Sequence, residues 1–173
     1  LVDLWDVNIS SLQEWGEDAG PSRFHKTNHQ APWTREVKKV AKVPVVNVGR
    51  FTDPDEMVRA LRSGQCDIIG CARPSIADPF LPRKIEEGRL DDIRECIGCN
   101  QCISRFERNV AIVCTQNPTA LEEYRRGWHP ERVEPSLTPR HVAVVGAGPA
   151  GLECALTLGR RGHMAVGFVV ARF

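Results

Sequence analysis

Four cysteines crowd the middle of this 173-residue chain in the order Cys96-x2-Cys99-x2-Cys102-x11-Cys114. That spacing constrains the fold more than any other feature. Two Cys-x2-Cys steps in series wrap a short loop around one corner of a bound group, and a distant fourth thiol completes a ligand set. Thiolates are soft ligands that suit iron–sulfur clusters or zinc. Structural zinc sites use two separated Cys-x2-Cys knuckles, and the second knuckle is missing here. The spacing therefore predicts an iron–sulfur cluster, of the cubane 4Fe–4S type, with zinc and plain buried cysteines as the alternatives. A disulfide framework fits poorly: the chain is not small, it shows no secretory signal, and seven cysteines would leave one over. Clustered thiols point to a reducing, cytoplasmic setting. Cys66 and Cys154, in strand and helix patterns, read as small buried hydrophobes.

Upstream of the cysteines, apolar strands alternate with amphipathic helices. Val2–Ile9 reads as a strand, followed by a loop to Pro32 and a helix capped by Thr34 that runs to about Lys42. Pro44–Val48 reads as a buried strand. Asp53 is an N-cap, Pro54 occupies the first helical position and Gly64 closes that helix. Cys66–Gly70 is a further buried strand, and Phe80–Glu87 a short helix stopped by Gly88. Such alternation implies an α/β fold with parallel strands and right-handed crossovers. A doubly wound sheet and a (β/α)8 barrel both satisfy it, and three strands are too few to close a barrel.

Downstream, a polar stretch with Arg125, Arg126, Trp128 and His129 reads as a linker, after which His141–Val145 forms a strand. Gly146-Ala147-Gly148-Pro149-Ala150-Gly151 then opens a helix to about Arg161. Strand, glycine turn and helix are the context of a dinucleotide-binding fingerprint. Gly146 makes the tight turn, Gly148 admits a pyrophosphate and Gly151 lets helix and strand pack closely. The acid expected about 20 residues on is missing from the tail Gly162–Phe173. The reading thus has three parts: 1–92, the strand–helix series; 93–137, the cysteine segment and linker; and 138–173, the start of a Rossmann-like domain.

Charge narrows the partners. With 23 basic and 22 acidic side chains, no broad field draws nucleic acid or an anionic membrane. No apolar run approaches the roughly 20 residues that span a bilayer. The chain starts Leu1-Val2-Asp3, with no initiator Met and no signal-peptide pattern, and is read as a fragment of a longer parent.

Several segments carry a resemblance. They are Glu14–Phe24, Val48–Pro54, Ile69–Pro79, Cys96–Asn100, Cys114–Asn117 and Glu122–Pro130. Through them the chain resembles the trimethylamine dehydrogenase family of iron–sulfur flavoproteins, with histamine dehydrogenase, dimethylglycine-type demethylases and 2,4-dienoyl-CoA reductase as relatives. The likeness runs to about His163; the tail departs from it as a truncated or frameshifted end would. The resemblance implies that residues 1–92 are the last three strands and helices of an FMN-binding (β/α)8 barrel. FMN phosphate would then sit after the last two strands, at Gly49 and Arg50 and at Cys71, Ala72 and Arg73. It implies that Asp18 is the active-site carboxylate, and that Trp15 and Phe106 are walls of an aromatic bowl for a cationic amine. Phe106 replaces a Trp of trimethylamine dehydrogenase, and the Cys102–Cys114 loop is one residue shorter.

The activity so implied is oxidation at a C–N bond. A small, methylated amine gives a hydride equivalent to FMN, and electrons leave through the cluster to an electron-transfer flavoprotein. ADP or FAD would belong to the parent's nucleotide domain, and a homodimeric parent fits the family. Two alternatives stay open: an NAD(P)H-dependent enoyl or dienoyl-CoA reductase using FAD, 4Fe–4S and FMN, and a cluster-binding module without catalysis. The isolated chain is expected to be inactive.

Overall fold

The computed structural model describes residues 2–10 and 20–168. They form two compact units, 1–122 and 123–173. The cysteine segment packs as part of the first unit, while the linker from Glu123 goes with the second.

The first unit carries a parallel sheet in the order β1 (Trp5–Val7), β2 (Val45–Val48), β3 (Ile68–Gly70). β1 is shorter than its apolar alternation predicts. Pro44 accepts the Trp5 N–H at 2.9 Å, but it has no N–H to return, so the ladder cannot extend past it. β3 likewise starts late. The Asp67 carboxylate takes the Val45 N–H at 2.8 Å, replacing a backbone partner, and Cys66 drops into the core. Helices α1 (Ala31–Val40) and α2 (Pro54–Arg62) follow β1 and β2.

α2 forms as its sequence requires. Asp53 accepts the Asp55 N–H at 2.8 Å, Pro54 leads the first turn, and Gly64 leaves in the left-handed region at φ +69°. α1 differs from expectation. Thr34 is not its cap but lies fully buried inside the helix, with its hydroxyl 2.9 Å from Asn47 Oδ1 and 3.1 Å from Gln30 O. The reason lies in β2, where Val45 and Asn47 are buried and Val46 and Val48 are half-buried. A buried Asn must be satisfied by hydrogen bonds. Thr34 serves its carbonyl, and its amide donates to Asn28 Oδ1 at 2.8 Å.

Two short helices follow β3: α3 (Arg73–Ala77) and α4 (Leu81–Glu86). Sequence reading finds α4 and misses α3, whose five residues include Pro74 in the first turn. The core gathers Phe51, Met57, Ala60, Cys66 and Leu81, with Ile69, Cys71, Ile85 and Ile93 packed against it. After a 3-10 turn at Leu90–Asp92 comes α5 (Gln101–Glu107), which starts inside the cysteine segment.

The second unit holds α6 (Glu123–Arg126), then β4 (His141–Val145), α7 (Pro149–Arg160) and β5 (Met164–Phe168). β4 and β5 pair in parallel across the α7 crossover. Gly148 is the N-cap of α7, as its place in the glycine turn predicts. Cys154 is exposed, contrary to its reading as a buried hydrophobe. One helix over two strands leaves no second layer to cover that face, and no described residue of β4, α7 or β5 is buried.

Candidate functional site

The cysteine segment is fastened to the first unit at three points. At its start, the Arg94 N–H donates to Asp78 Oδ2 at 3.0 Å. Lys84 Nζ donates to the same oxygen at 2.7 Å and to Asp92 O at 2.8 Å. Asp78 and Lys84 are both buried. Burial pushes the Asp78 carboxyl up, yet the Lys84 ammonium and the Arg94 and Phe80 amides outweigh it and hold the group below the usual carboxylate range. In the middle, Asn100 Nδ2 donates to Gly20 O at 2.6 Å, and the Arg23 N–H to Gly98 O at 2.8 Å. At its end, buried Asn117 donates to Ile76 O of α3 at 3.0 Å.

These anchors bring Cys96, Cys99, Cys102 and Cys114 to the wall of one pocket, together with Arg73 at the start of α3. All four are free thiols. Backbone amides point at three of the sulfurs: Gly98 at Cys96, Ile103 at Cys102, and Gln116 at Cys114, the last at 3.4 Å. Cys99 Sγ lies 3.3 Å from Thr115 Oγ1. Burial pushes the Cys96 and Cys102 thiols up, while those amides and Arg73 act the other way, joined at Cys96 by Arg50. N–H···S contacts of this kind are how proteins support cluster thiolates.

The arrangement also bears on what fits. Four sulfurs about 2.3 Å from a single zinc stand about 3.8 Å from one another. Among the described residues no group of three or more His, Cys, Asp or Glu side chains is already drawn together as a metal site. Four soft thiolate donors on one pocket wall, with backbone amides directed at three of them, are a donor set of the kind that iron–sulfur clusters and zinc both use.

Two residues between the cysteines have structural roles that ligand spacing does not predict. Gly98 and Asn100 both have left-handed backbone, at φ +65° and +54°. A Cβ on Gly98 would lie 2.8 Å from Arg50 Nη1 and 2.9 Å from the Arg23 nitrogen, so only glycine fits. Asn100 tolerates the conformation, and its Oδ1 accepts from Arg73. The available signal was the residue types themselves, since Gly and Asn are those most at home at positive φ.

The other expected residues fall as follows. Gly49 approaches Asn28 so closely that a Cβ would sit 2.8 Å from Asn28 Cα, and Arg50 has φ +55°. Arg73 donates to Pro21 O at 2.7 Å, and burial lowers its guanidinium's pKa. Cys71 turns its thiol toward the core, 3.9 Å from Phe51 O. Phe106 stands on α5, 71 % exposed. Trp15 and Asp18 lie outside the described residues. In the second unit, a Cβ on Gly151 would come within 1.9 Å of Gly146 O, and Gly146 has φ +112°. Strand, turn and helix there are therefore closed by glycine.

Residues 1–92 match the NADH:flavin oxidoreductase / NADH oxidase family. Dimethylamine dehydrogenase of Hyphomicrobium sp. (strain x) is 61% identical over 163 residues, 94% of this chain and 22% of that protein. Two solved structures superpose closely. Histamine dehydrogenase from Rhizobium sp. 4-9 gives a TM-score of 0.88 at 52% identity, over 95% of this chain and 24% of its own. The 6-hydroxypseudooxynicotine amine oxidase from Pseudomonas geniculata N1 gives 0.87 at 54%, with the same coverage. The chain spans between a fifth and a quarter of the length of these relatives.

Proposed function

Because the chain belongs to the NADH:flavin oxidoreductase / NADH oxidase family, we propose that it is the part of an amine dehydrogenase that joins a flavin barrel to an iron–sulfur relay. In this reading residues 1–92 are the last portion of an FMN-binding (β/α)8 barrel. Residues 93–137 hold a 4Fe–4S cluster on Cys96, Cys99, Cys102 and Cys114, and residues 138–173 begin a Rossmann-like domain for ADP or FAD. One observation carries the proposal: the β3–α3 turn and all four cysteines meet at a single pocket, through Arg73. The one-sided burial of β2 supports the barrel, since Val46 and Val48 lie on the less covered face.

The full-length protein would oxidise a small, methylated amine, and the amine-oxidising relatives support that substrate class. Bound FMN supplies a two-electron acceptor for the amine and a one-electron donor to the cluster. This chain's residues bind and orient. The backbone at Gly49–Arg50 and Cys71–Ala72, with the Arg73 guanidinium, would hold the flavin phosphate, α3 being the short extra helix common at that place in barrels. Trp15 and Phe106 would wall the amine, and Asp18 would orient its proton-transfer partner. An electron-transfer flavoprotein is the proposed acceptor, the parent a homodimer, and the seven unpaired cysteines support a cytoplasmic setting.

The test uses anaerobically purified full-length protein. Iron and acid-labile sulfide are assayed, then methylated amines are added while the flavin spectrum is recorded. Amine-dependent bleaching is expected. Bleaching by NADPH alone would transfer the reading to a reductase, and stoichiometric zinc without iron would end the cluster assignment.

A further inference from the structure

Two arginines flank the cysteine pocket in a way that flavin binding accounts for only in part. Arg73 lines the pocket itself. It is held there by neutral acceptors, Pro21 O at 2.7 Å, Gly20 O at 3.4 Å and Asn100 Oδ1. Arg50 presses on the cysteine loop at Gly98, where only a glycine leaves room for its guanidinium. It too is held by a neutral group, donating from Nη2 to His25 O at 2.8 Å. Its Nε is buried with no hydrogen-bond partner among the described residues. Neither arginine forms an ion pair with a carboxylate among the described residues.

A cation held by carbonyl dipoles keeps its full charge, and partial burial weakens the screening of its field. Arg73 shares the pocket wall with all four cysteines, and Arg50 reaches the Gly98 turn that lies between Cys96 and Cys99.

We propose that Arg73 and Arg50 set the reduction potential of the group held by Cys96, Cys99, Cys102 and Cys114. The proposal rests on the cluster assignment above and deepens it. Reduction adds one electron, and so one negative charge, to a group already bound by four thiolates. Two fixed positive charges at its edge stabilise that reduced form and raise the potential, drawing electrons toward the cysteine pocket. Arg73 lines the pocket and acts more strongly; Arg50 acts through the Gly98 turn. Both are positioning residues in this role, acting through space on the cysteine-held group.

The experiment is an EPR-monitored redox titration of the full-length protein under anaerobic conditions. It compares wild type with Arg73→Gln, Arg73→Lys, Arg50→Gln and, as a charge control outside the pocket lining, Arg59→Gln, whose side chain is exposed on α2. Iron, sulfide and flavin are counted first in each. The largest shift is expected for Arg73→Gln, about tenfold toward the oxidised form at fixed potential, or about 59 mV for a one-electron couple. Arg50→Gln should move the same way by less, Arg73→Lys should keep most of the wild-type value, and Arg59→Gln should titrate with wild type. Should Arg73→Gln lose its cluster or its flavin, Arg50→Gln and Arg73→Lys carry the test. Cluster-loaded Arg73→Gln and Arg50→Gln titrating with wild type would overturn the proposal. A wild-type protein without iron and sulfide would instead overturn the assignment beneath it.

Discussion

The two compact units of this chain are built from the same strand–helix vocabulary and hold together differently. In the first, Phe51, Val45 and Leu81 are closed off from solvent, and buried Asn47, Thr34 and Gln65 make the polar contacts that a packed interior demands. In the second, β4, α7 and β5 take up their pairing and crossover although Val145 is 74 % and Leu156 47 % exposed. Glycine geometry and local hydrogen bonds define the second unit; burial defines the first. The candidate cluster site sits on the buried unit. That is where a rigid frame is needed, because a constellation of ligands must be held by residues that are themselves locked in place.

The comparison can be broken at several levels. The largest effect is expected at the pocket. Cys96→Ser or Cys102→Ser in the full-length protein should remove nearly all iron and sulfide, whereas Cys154→Ser on exposed α7 should leave both unchanged. Equal losses would put the site elsewhere. Next comes the buried pair that fastens the cysteine segment. Lys84→Met leaves the Asp78 carboxylate buried without its ammonium, at a cost of about 3–5 kcal/mol, measurable by denaturant unfolding. Asp78→Asn combined with Lys84→Met should recover part of it.

This pair also gives a pH signature. The Asp78 pKa is lowered on folding. Its contribution to stability is therefore full above the ordinary carboxylate value near 4 and is lost as pH falls through the lower folded value. Wild type should lose stability more steeply at acid pH than the double variant does. Parallel curves would show that the pair is not coupled to folding.

Smaller effects separate the two interiors directly. Leu81→Ala, at 2 % exposure, should cost about 2–5 kcal/mol, and Leu156→Ala less than about 1 kcal/mol, by the area it still covers. Similar costs would mean that the second unit has a packed core after all. The smallest test lies within α7. Gly159 has open space where a Cβ would go, so Gly159→Ala should stabilise the unit by up to about 1 kcal/mol. Gly151→Ala, which meets Gly146 O, should open the turn and lower the unit's stability in the same unfolding assay.

Much of the site could be read in advance where its signal is local. The four cysteines, the Asp53–Pro54 helix start and the glycine turn at Gly146–Gly151 depend on neighbours in sequence, and the structure brings the four thiols to one pocket. The roles of Asn100, Gly98 and Asn117 are not legible locally, because each acts on a residue far along the chain: Arg73 and Gly20, Arg50, and Ile76. The same holds for Thr34. A threonine near a helix start looks like a cap until a buried Asn47 on a distant strand needs its hydroxyl.

By itself, then, the sequence determined which four thiols belong together and where the Asp53–Pro54 helix and the Gly146–Gly151 turn begin, since ligand spacing, capping and left-handed turns are short-range physics. Only the tertiary structure decided that Arg50 and Arg73 stand against those thiols, and that Asp78 and Lys84 pin the loop that carries them. Those contacts join residues brought together by burial of the sheet and its helices. A charge or a buried polar group acquires its partner, and so its effect, only when packing places one beside it.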